Sequence, residues 1–161
     1  MQISKIEKDR IKELSIFSKD VFIDYYNDLI GNKQARYMAD LFLSEESIEK
    51  LIDQGAIFIV AEENNEILGF SEYLLEENKV FLSKLYVSKN YRNQGIGKMM
   101  LDSCIEYSKE NNIDTIYLTV NKNNTSSINV YKHCGFKIVD SVVNDIGNNY
   151  VMDDYIMELS L

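Results

Sequence analysis

The stretch VFLSKLYVSKNYRNQGIGKMML, residues 80–101, decides the fold that we predict for this chain. Its first part, Val80 to Val87, is rich in β-branched and aromatic residues, which is typical of a largely buried β-strand. The chain then passes through a glycine-containing turn, Arg92 to Gly97, into a segment whose apolar residues recur at helical spacing. The stretch therefore predicts a strand, a tight turn and a helix in that order.

The turn between this strand and this helix predicts an anion-binding site. The first amides of a helix have no partner within the helix, and the helix dipole places partial positive charge there. Gly95 and Gly97 lack the Cβ atoms that would keep a ligand's oxygens away from those amides. Arg92 and Lys98 add two cations beside the turn. We therefore expect a ligand with more than one negative charge, such as a pyrophosphate.

The spacing of the turn distinguishes it from two other phosphate-binding motifs. The pattern R-x-x-G-x-G is neither the dinucleotide fingerprint G-x-G-x-x-G nor the P-loop G-x-x-x-x-G-K-[ST]. It resembles the acetyl-CoA loop of the GNAT superfamily of N-acetyltransferases. A second block, Val120 to Phe136, is similar to another GNAT signature and follows at about the distance of one strand. The residues on its positions are Asn124, Ser127, Ile128, Tyr131, Gly135 and Phe136.

The remaining periodic segments complete a single α/β (α+β) domain that spans residues 1–161. Strands are predicted at residues 2–6, 56–61, 67–75, 80–87, 115–120, 136–142 and 150–159, the last two separated by a polar loop at 143–149. Helices are predicted at residues 9–30, with a break near 18–20, at 34–43, at 44–55 with Ser44 as N-cap, after the glycine turn, and at 125–134. This order matches the GNAT fold, a central mixed and mostly antiparallel sheet flanked by helices.

The GNAT resemblance implies acetyl-CoA as co-substrate, with no metal, held where two parallel strands splay apart. Those strands correspond to residues 82–87 and 115–120. Main-chain groups of Leu85 and Val87 would pair with the pantetheine amides like a missing strand, and Asn124 would offer its side-chain amide to the pantetheine arm. The residues implied to bind the cofactor are Leu85, Tyr86, Val87, Arg92, Asn93, Gln94, Gly95, Ile96, Gly97, Lys98, Asn124, Ser127 and Tyr131.

The same resemblance makes Tyr131 the general acid that protonates the departing thiolate of coenzyme A. A tyrosine with a pKa near 10 keeps its proton at pH 7. The alternative is a core tyrosine on an amphipathic helix, and the spacing to Ile128 and to Gly135 favours the catalytic interpretation.

The general base is where the sequence departs from the family pattern. Many members carry a glutamate where Ser83 stands, and a serine cannot accept a proton from an ammonium group at neutral pH. The base is then another carboxylate, a water chain or the bulk solvent. Glu72, on the preceding strand, is the nearest candidate by sheet geometry, and a merely solvated strand glutamate is the alternative.

The distribution of charge bears on the substrate. The net charge is −9, and residues 1–80 carry 17 acidic and 9 basic residues against 9 and 8 in residues 81–161. So acidic a chain without a basic stripe predicts no nucleic-acid partner. The acidic half serves either solubility or the attraction of a cationic substrate. For the second case, the candidate carboxylates are Glu45, Glu46, Glu49, Asp153 and Asp154.

The two ends of the chain narrow the resemblance. The segment from Phe22 to Leu51 and the last strand, from Tyr150, look like the bacterial PaiA-type polyamine N-acetyltransferases, which implies spermidine or spermine as the small-molecule acceptor. Two alternatives stay open: acetylation of a protein or peptide amine, and a non-catalytic module that senses acetyl-CoA.

Several classes of protein are disfavoured by composition. No apolar run approaches the roughly 20 residues of a membrane span, and the N-terminus has no apolar signal core, so we expect a cytoplasmic protein without a membrane partner. The single histidine and the two cysteines fit no metal spacing, and we interpret Cys104 and Cys134 as reduced core thiols. The sequence leaves the oligomeric state open between a monomer and a homodimer.

Overall fold

The computed structural model describes residues 1–161, which form one seven-stranded sheet and five α-helices. The strands are β1 (Gln2–Lys5), β2 (Ile57–Glu63), β3 (Glu66–Leu75), β4 (Val80–Val87), β5 (Thr115–Asn121), β6 (Lys137–Gly147) and β7 (Tyr150–Ser160). The helices are α1 (Ile11–Ile30), α2 (Asn32–Leu43), α3 (Glu45–Asp53), α4 (Ile96–Glu110) and α5 (Thr125–His133), with 3-10 turns at Lys8–Arg10 and Lys89–Tyr91.

The sheet has the strand order β1-β2-β3-β4-β5-β7-β6, and every neighbouring pair is antiparallel except β4 and β5. The parallel pair is short. Val80 pairs with Ile116 and Phe81 pairs with Tyr117, after which no further residues of the two strands are paired. The predicted mixed, mostly antiparallel sheet with two splayed parallel strands is therefore confirmed.

The hydrophobic core lies in two layers, one on each face of the sheet. On one face, α1, α2 and α3 pack onto β2 and β3, with Phe22 and Leu43 against Phe58 and Phe70. On the other face, the second layer joins Leu101 of α4 and Ile128 of α5 to strand residues. Each helix thus buries one apolar side, as its sequence periodicity requires.

A β-bulge in β4 determines which side chains face each layer. Glu72 pairs with Lys84 and Tyr73 with Leu82, so Ser83 is an extra residue in β4. Side chains alternate along a regular strand, and one inserted residue shifts that alternation. Leu82 and Leu85 consequently both pack in the α4 layer, while Tyr86 packs in the layer of α1 and α2.

Local sequence signals explain several of the element boundaries. Ser44 caps α3, because its Oγ accepts a hydrogen bond from the Ser47 amide at 3.1 Å, as predicted. The turn between β2 and β3 is formed by Asn64–Asn65, and both residues have positive φ. A second pair of this kind, Asn148–Asn149, joins β6 to β7.

The structure corrects three sequence-based predictions. Helix α1 has no break near residues 18–20, and Ser18 is buried there, with its hydroxyl bonded to the Ser15 carbonyl of the same helix. The polar loop predicted at residues 143–149 is mostly strand, since β6 continues to Gly147. Cys104 is buried as predicted, but Cys134 is exposed at the C-terminus of α5, so only one of the two free thiols belongs to the core.

None of the five helices is both long enough and apolar enough to span a membrane.

Gly69 in β3 marks the closest approach of α4 to the sheet. A Cβ atom at this position would lie 3.0 Å from the Tyr86 carbonyl oxygen and 3.1 Å from the Met100 Cε. The side chain of Met100 can move, but the strand carbonyl cannot. We expect Gly69→Ala to lower the free energy of unfolding by about 1–3 kcal/mol through overpacking, as measured by urea denaturation.

A control lies two residues away on the same strand. Ser71 is buried and its Oγ has no hydrogen-bond partner. Ser71→Ala removes that unsatisfied group, so its unfolding free energy should equal or exceed that of the wild type. If Ser71→Ala lowers the free energy of unfolding as much as Gly69→Ala does, β3 is sensitive to any substitution and overpacking is not the cause.

Candidate active site

A narrow cleft of about 30 Å³ lies where β4 and β5 part. Its walls come from β4, β5, α1 and α5. The lining residues are Tyr26, Leu82, Ser83, Lys84, Leu85, Tyr86, Leu118, Thr119, Val120, Asn124, Ser127 and Tyr131. The cleft brings together residues from both sequence blocks that carried the resemblance.

The backbone of β4 directs groups that β5 does not pair toward the β5 side. The Tyr86 carbonyl points toward β3, where it would meet a Cβ atom at Gly69. Because successive carbonyls of a strand point in opposite directions, those of Leu85 and Val87 point toward the β5 side. The Val87 oxygen accepts a hydrogen bond from Arg92 Nε at 3.0 Å. This orientation is the one that strand-like pairing with an extended ligand requires.

The glycine turn opens α4 with a set of free amides. Gly95 precedes the helix in the left-handed conformation, with φ +84°, and the first intrahelical bond runs from the Met99 amide to the Gly95 carbonyl at 3.0 Å. The amides of Ile96, Gly97 and Lys98 therefore have no intrahelical partner. Asn93 is also left-handed, with φ +63°, and the side chain of Gln94 donates to the Asn90 carbonyl at 3.4 Å.

The two predicted cations differ in availability. Arg92 is fixed beside the cleft, because its Nε is bonded to Val87 and its guanidinium lies over the Tyr25 ring at 5.3 Å. Its remaining N–H groups are free to donate. Lys98 is exposed, and its Nζ pairs with Asp102 at 2.7 Å, so its charge is shared with a carboxylate one helical turn away.

Tyr25 of α1 holds the start of α5 in place. Its hydroxyl donates to Asn124 Oδ1 at 3.0 Å and is hydrogen-bonded to Ser127 Oγ. Asn124 is 4% exposed, and its Oδ1 also accepts from the Ser127 amide, which caps α5. Because both bonds use the oxygen, the Asn124 amide nitrogen is left to donate, as predicted for the pantetheine arm.

Tyr131 places its hydroxyl at the cleft without a hydrogen-bond partner in the protein. Its ring packs edge-on against Phe136, with centroids 5.4 Å apart. Burial raises the pKa of Tyr131, and the neighbouring phenols of Tyr26 and Tyr25 raise it further. A raised pKa means that the hydroxyl is protonated throughout the neutral range, which is the state that a proton donor needs.

Glu72 is held in a buried ion pair. Its carboxylate is bonded to Lys84 Nζ at 2.5 Å, and the residue is 3% exposed. Lys84 lines the cleft and the larger cavity next to it, whereas Glu72 lines neither. The role of general base for Glu72 stays a prediction.

A larger cavity of about 350 Å³ lies on the α1–α2 side of the sheet. It shares five lining residues with the cleft, namely Tyr26, Ser83, Lys84, Tyr86 and Thr119. The two spaces are therefore adjacent at the gap between β4 and β5. The other walls are Phe22, Ile30, Gln34, Met38, Phe42, Phe81, Asn121, Asn144, Ile146, Val151, Met152 and Asp154. Lys84 and Asp154 are the only charged residues among them.

Asp154 of β7 is the unusual residue in this cavity. It is 4% exposed, and its carboxylate forms neither a hydrogen bond nor an ion pair within the protein. Burial raises the pKa of Asp154 to about 6, with a further increase from Asp153 and a smaller opposing effect from Lys122. The sequence identified Asp154 only as one of several acids.

Two tyrosines of the site escaped the sequence analysis. Tyr25 and Tyr26 fit the apolar periodicity of α1 and so resembled core residues. Their hydroxyls reveal a different role, since Tyr26 is bonded to the Tyr86 hydroxyl at 2.9 Å and Tyr25 to the start of α5. Adjacent tyrosines on an amphipathic helix are the only signal that could have suggested this.

The sequence profile of the Acetyltransferase (GNAT) family matches residues 20–136 of the chain. The protein is a member of the GNAT family. The match runs from the second half of α1 through α5 and includes β2 to β5, the cleft and the glycine turn. This GNAT protein is accordingly an acetyl-CoA-dependent N-acetyltransferase, and the cleft with the adjoining turn is its candidate donor site.

Individual relatives of this acetyltransferase have different acceptors in their names. Peptidyl-lysine N-acetyltransferase YjaB from Salmonella typhimurium is 26% identical over 80% of this chain and 79% of its own length. Spermidine N(1)-acetyltransferase from Thermoplasma acidophilum is 24% identical over 89% of this chain and 94% of its own. The fold is shared with the crystal structure of PaiA N-acetyltransferase from T. acidophilum in complex with coenzyme A, with a TM-score of 0.86, 22% identity and coverage of 99% and 98%.

The free amides of α4 give a prediction for acetyl-CoA binding. A Cβ atom at Gly97 would meet Leu85 and Val87 side chains at 3.6 and 3.9 Å, which are ordinary contacts, so the fold should accept a side chain there. Gly97→Val would nevertheless place a branched group beside the amides that face the diphosphate. We expect at least a tenfold weaker affinity for acetyl-CoA, about 1.4 kcal/mol, by calorimetry.

The matched control is Met99→Val, which puts the same β-branched residue at an exposed position two residues along α4. It adds a β-branched side chain in the same turn of the helix, away from the glycine turn. Equal affinities of the two variants would exclude a role for the Gly97 backbone in binding.

Tyr131→Phe tests the proton donor. The change keeps the ring that packs on Phe136 and removes only the hydroxyl, so turnover should fall roughly 10²-fold while acetyl-CoA affinity is retained. Tyr107→Phe, a tyrosine of α4 that packs against Tyr73 away from the cleft, serves as control. Wild-type turnover in Tyr131→Phe would mean that water protonates the leaving thiolate.

Proposed function

We propose that this acetyltransferase acetylates a primary amine of a polyamine such as spermidine or spermine, by direct attack on acetyl-CoA in a ternary complex. The observation that carries the proposal is the 350 Å³ cavity, whose mostly apolar walls meet the donor cleft on one side and include one buried, unpaired carboxylate. An apolar chain that ends in an ammonium group fits those walls and that charge.

The charge of the cavity favours a cation. Lys84 is neutralised by Glu72 at 2.5 Å, which leaves Asp154 as the uncompensated charge of the lining. A buried carboxylate without a partner is costly, and an ammonium group would supply the missing partner. Apolar side chains such as Phe22 and Met38 provide surface for the methylene groups of the acceptor.

The arrangement of the two spaces favours direct transfer. The donor cleft and the acceptor cavity are separate but share the residues at the gap between β4 and β5. Both substrates can therefore be bound at once, with the amine and the thioester meeting at the gap. Bringing them together in this way replaces a bimolecular encounter by an oriented complex.

Four of the five carboxylates that the sequence suggested as partners of a cationic substrate lie outside the cavity. Glu45, Glu46 and Glu49 lie on α3, which contributes no residue to the cavity, and Asp153 pairs with Lys122 at 2.9 Å. Of the five candidates, Asp154 alone lines the cavity. The other amines of a polyamine would be held by neutral acceptors such as Asn144 and by the negative field of the whole chain.

A lysine side chain of a peptide is the second candidate, because it is also a primary amine on an apolar chain and because one relative is named as a peptidyl-lysine acetyltransferase. Contacts between α2 and the β6–β7 hairpin favour a small molecule. Gln34 donates to the Val151 carbonyl at 2.9 Å and Tyr37 to the Ile146 carbonyl at 2.7 Å, which ties two walls of the cavity together. A peptide would have to thread its lysine past these contacts.

The test is release of coenzyme A thiol with a panel of acceptors at two ionic strengths. The panel contains spermidine, spermine, a monoamine of matched length and a lysine peptide with a blocked N-terminus. We expect the polyamines to give the highest kcat/KM. The KM for spermidine should rise with salt more than that for the monoamine, because screening weakens the attraction of a −9 chain for a multiply charged substrate.

Three results would contradict the proposal in different ways. Faster turnover of the peptide than of either polyamine would assign the enzyme to protein substrates. Equal salt dependence of spermidine and the monoamine would leave the acidic residues a role in solubility only. Thiol release with none of the amines would favour a module that binds acetyl-CoA without catalysis.

A further inference from the structure

We propose that Asp154 is the proton acceptor of the reaction: its carboxylate binds the attacking ammonium group in the cavity and takes up its proton. The inference rests on the proposed function in one respect, that the acceptor is a protonated primary amine. It does not depend on that amine belonging to a polyamine.

The position of Asp154 in the sheet explains why its carboxylate reaches the acceptor cavity. On β7 it pairs with Asn121 of β5 and Val142 of β6, so it lies between two strands, beyond the point where β4 leaves β5. Side chains of a strand alternate between faces. Met152, two residues earlier, packs in the α1–α2 layer, and Asp154 therefore projects to the same side, into the cavity.

The groups around Asp154 leave its charge uncompensated. From α1 it faces the phenol of Tyr26, and from β4 the Tyr86 phenol and Lys84, which is bound to Glu72. Lys122, which directly follows β5, is bound to Asp153, the residue before Asp154 on β7. The residues that α2 and β6 contribute to the cavity, such as Gln34 and Asn144, carry no charge and do not titrate.

The other candidate bases are less suited to this role. Ser83 occupies the position of the usual glutamate and cannot hold the proton. Glu72 is already the partner of Lys84, and accepting a proton would leave that lysine as an unpaired buried charge. Asp154 gains a partner when the ammonium binds and loses no other interaction.

The step balances as follows. The ammonium passes one proton to the Asp154 carboxylate, and the neutral nitrogen attacks the thioester carbonyl carbon, forming the N–C bond. As the C–S bond breaks, the sulfur takes a proton from the Tyr131 hydroxyl. The nitrogen loses its second proton, which restores Tyr131, and Asp154 releases the first to solvent. One ammonium and one acetyl-CoA thus give one amide, one thiol and one proton.

The acidity of Asp154 suits this step. Burial raises its pKa to about 6, so at pH 7 the carboxyl is mostly deprotonated and able to accept, yet more basic than an exposed aspartate. Below pH 6 it is protonated and the reaction should slow. Removing the acceptor's proton in bulk water, by contrast, would need a pH near the pKa of the amine, about 10.

The experiment is the pH profile of kcat/KM between pH 5 and 10, with whichever primary amine of the panel is turned over best. The wild type should rise with a slope of one to a break near pH 6 and then stay level. Asp154→Asn should lose this break and keep rising toward the pKa of the amine, with kcat/KM at least 10²-fold below wild type at pH 7.

Asp153→Asn is the matched control, since it removes the same charge one residue away on the same strand. It should keep the break, moved slightly downward because Asp153 raises the pKa of Asp154. Asp154→Glu should restore a break at a reduced rate. Asp154→Asn should also melt at or above the wild-type temperature at pH 7, because a carboxyl with a raised pKa destabilises the fold when charged.

Several outcomes would overturn the assignment. A wild-type profile without a break near pH 6 is one, and it needs no variant. A second is a break that persists in the pH profile of Asp154→Asn. If the break is instead lost in Glu72→Gln, the proton is accepted by Glu72. Turnover of a lysine peptide in place of spermidine would change the substrate while leaving these profiles equally informative about Asp154.

Discussion

The separation of β4 from β5 after two residue pairs is the constraint on which the rest of the site depends. In an ordinary sheet the strands would continue to pair, and the backbone groups of β4 beyond Phe81 would be satisfied by β5. Here β5 does not pair with them, and the cleft between the two strands adjoins the larger cavity on the α1–α2 side of the sheet. The β-bulge at Ser83 follows just beyond the last of these pairs, and it brings Leu82 and Leu85 to the same layer of the core.

Aromatic side chains line the gap between β4 and β5. Phe81 and Tyr117 stack at 4.7 Å where the strands still pair, and Tyr26, Tyr86 and Tyr25 form a cluster with ring centroids 5.1–5.9 Å apart beside the gap. These rigid rings form the walls of the gap, and their hydroxyls bond to each other or to the start of α5. The cleft thus has aromatic walls, and the larger cavity adjoins it at Tyr26 and Tyr86.

Features that a few adjacent residues determine could be predicted from the sequence. The glycine turn, the Ser44 cap and the Asn64–Asn65 hairpin each follow from local backbone preferences. Asn148–Asn149 carries the same hairpin signal, but the polar residues before it hid the end of a strand whose side chains are largely exposed.

Features that depend on distant partners could not be predicted. No residue type marks the bulge at Ser83, because its cause lies in the pairing with β3. In the run Asp153–Asp154 alternation predicts that the two side chains face opposite sides, but not that one of those sides is a cavity. Cys134, at the C-terminus of α5, is likewise exposed, which the apolar periodicity of the helix does not reveal.

The β6–β7 hairpin forms one wall of the larger cavity and lies outside the part of the chain that matches the GNAT profile. It supplies Asn144, Ile146, Val151, Met152 and Asp154 to the acceptor cavity, and all of them lie beyond residue 136, where the match to the GNAT profile ends. The donor cleft is built from the matched part of the chain. With the acceptor in the larger cavity, as we propose, mutations in the hairpin would change the choice of amine while the residues proposed to bind acetyl-CoA stay the same.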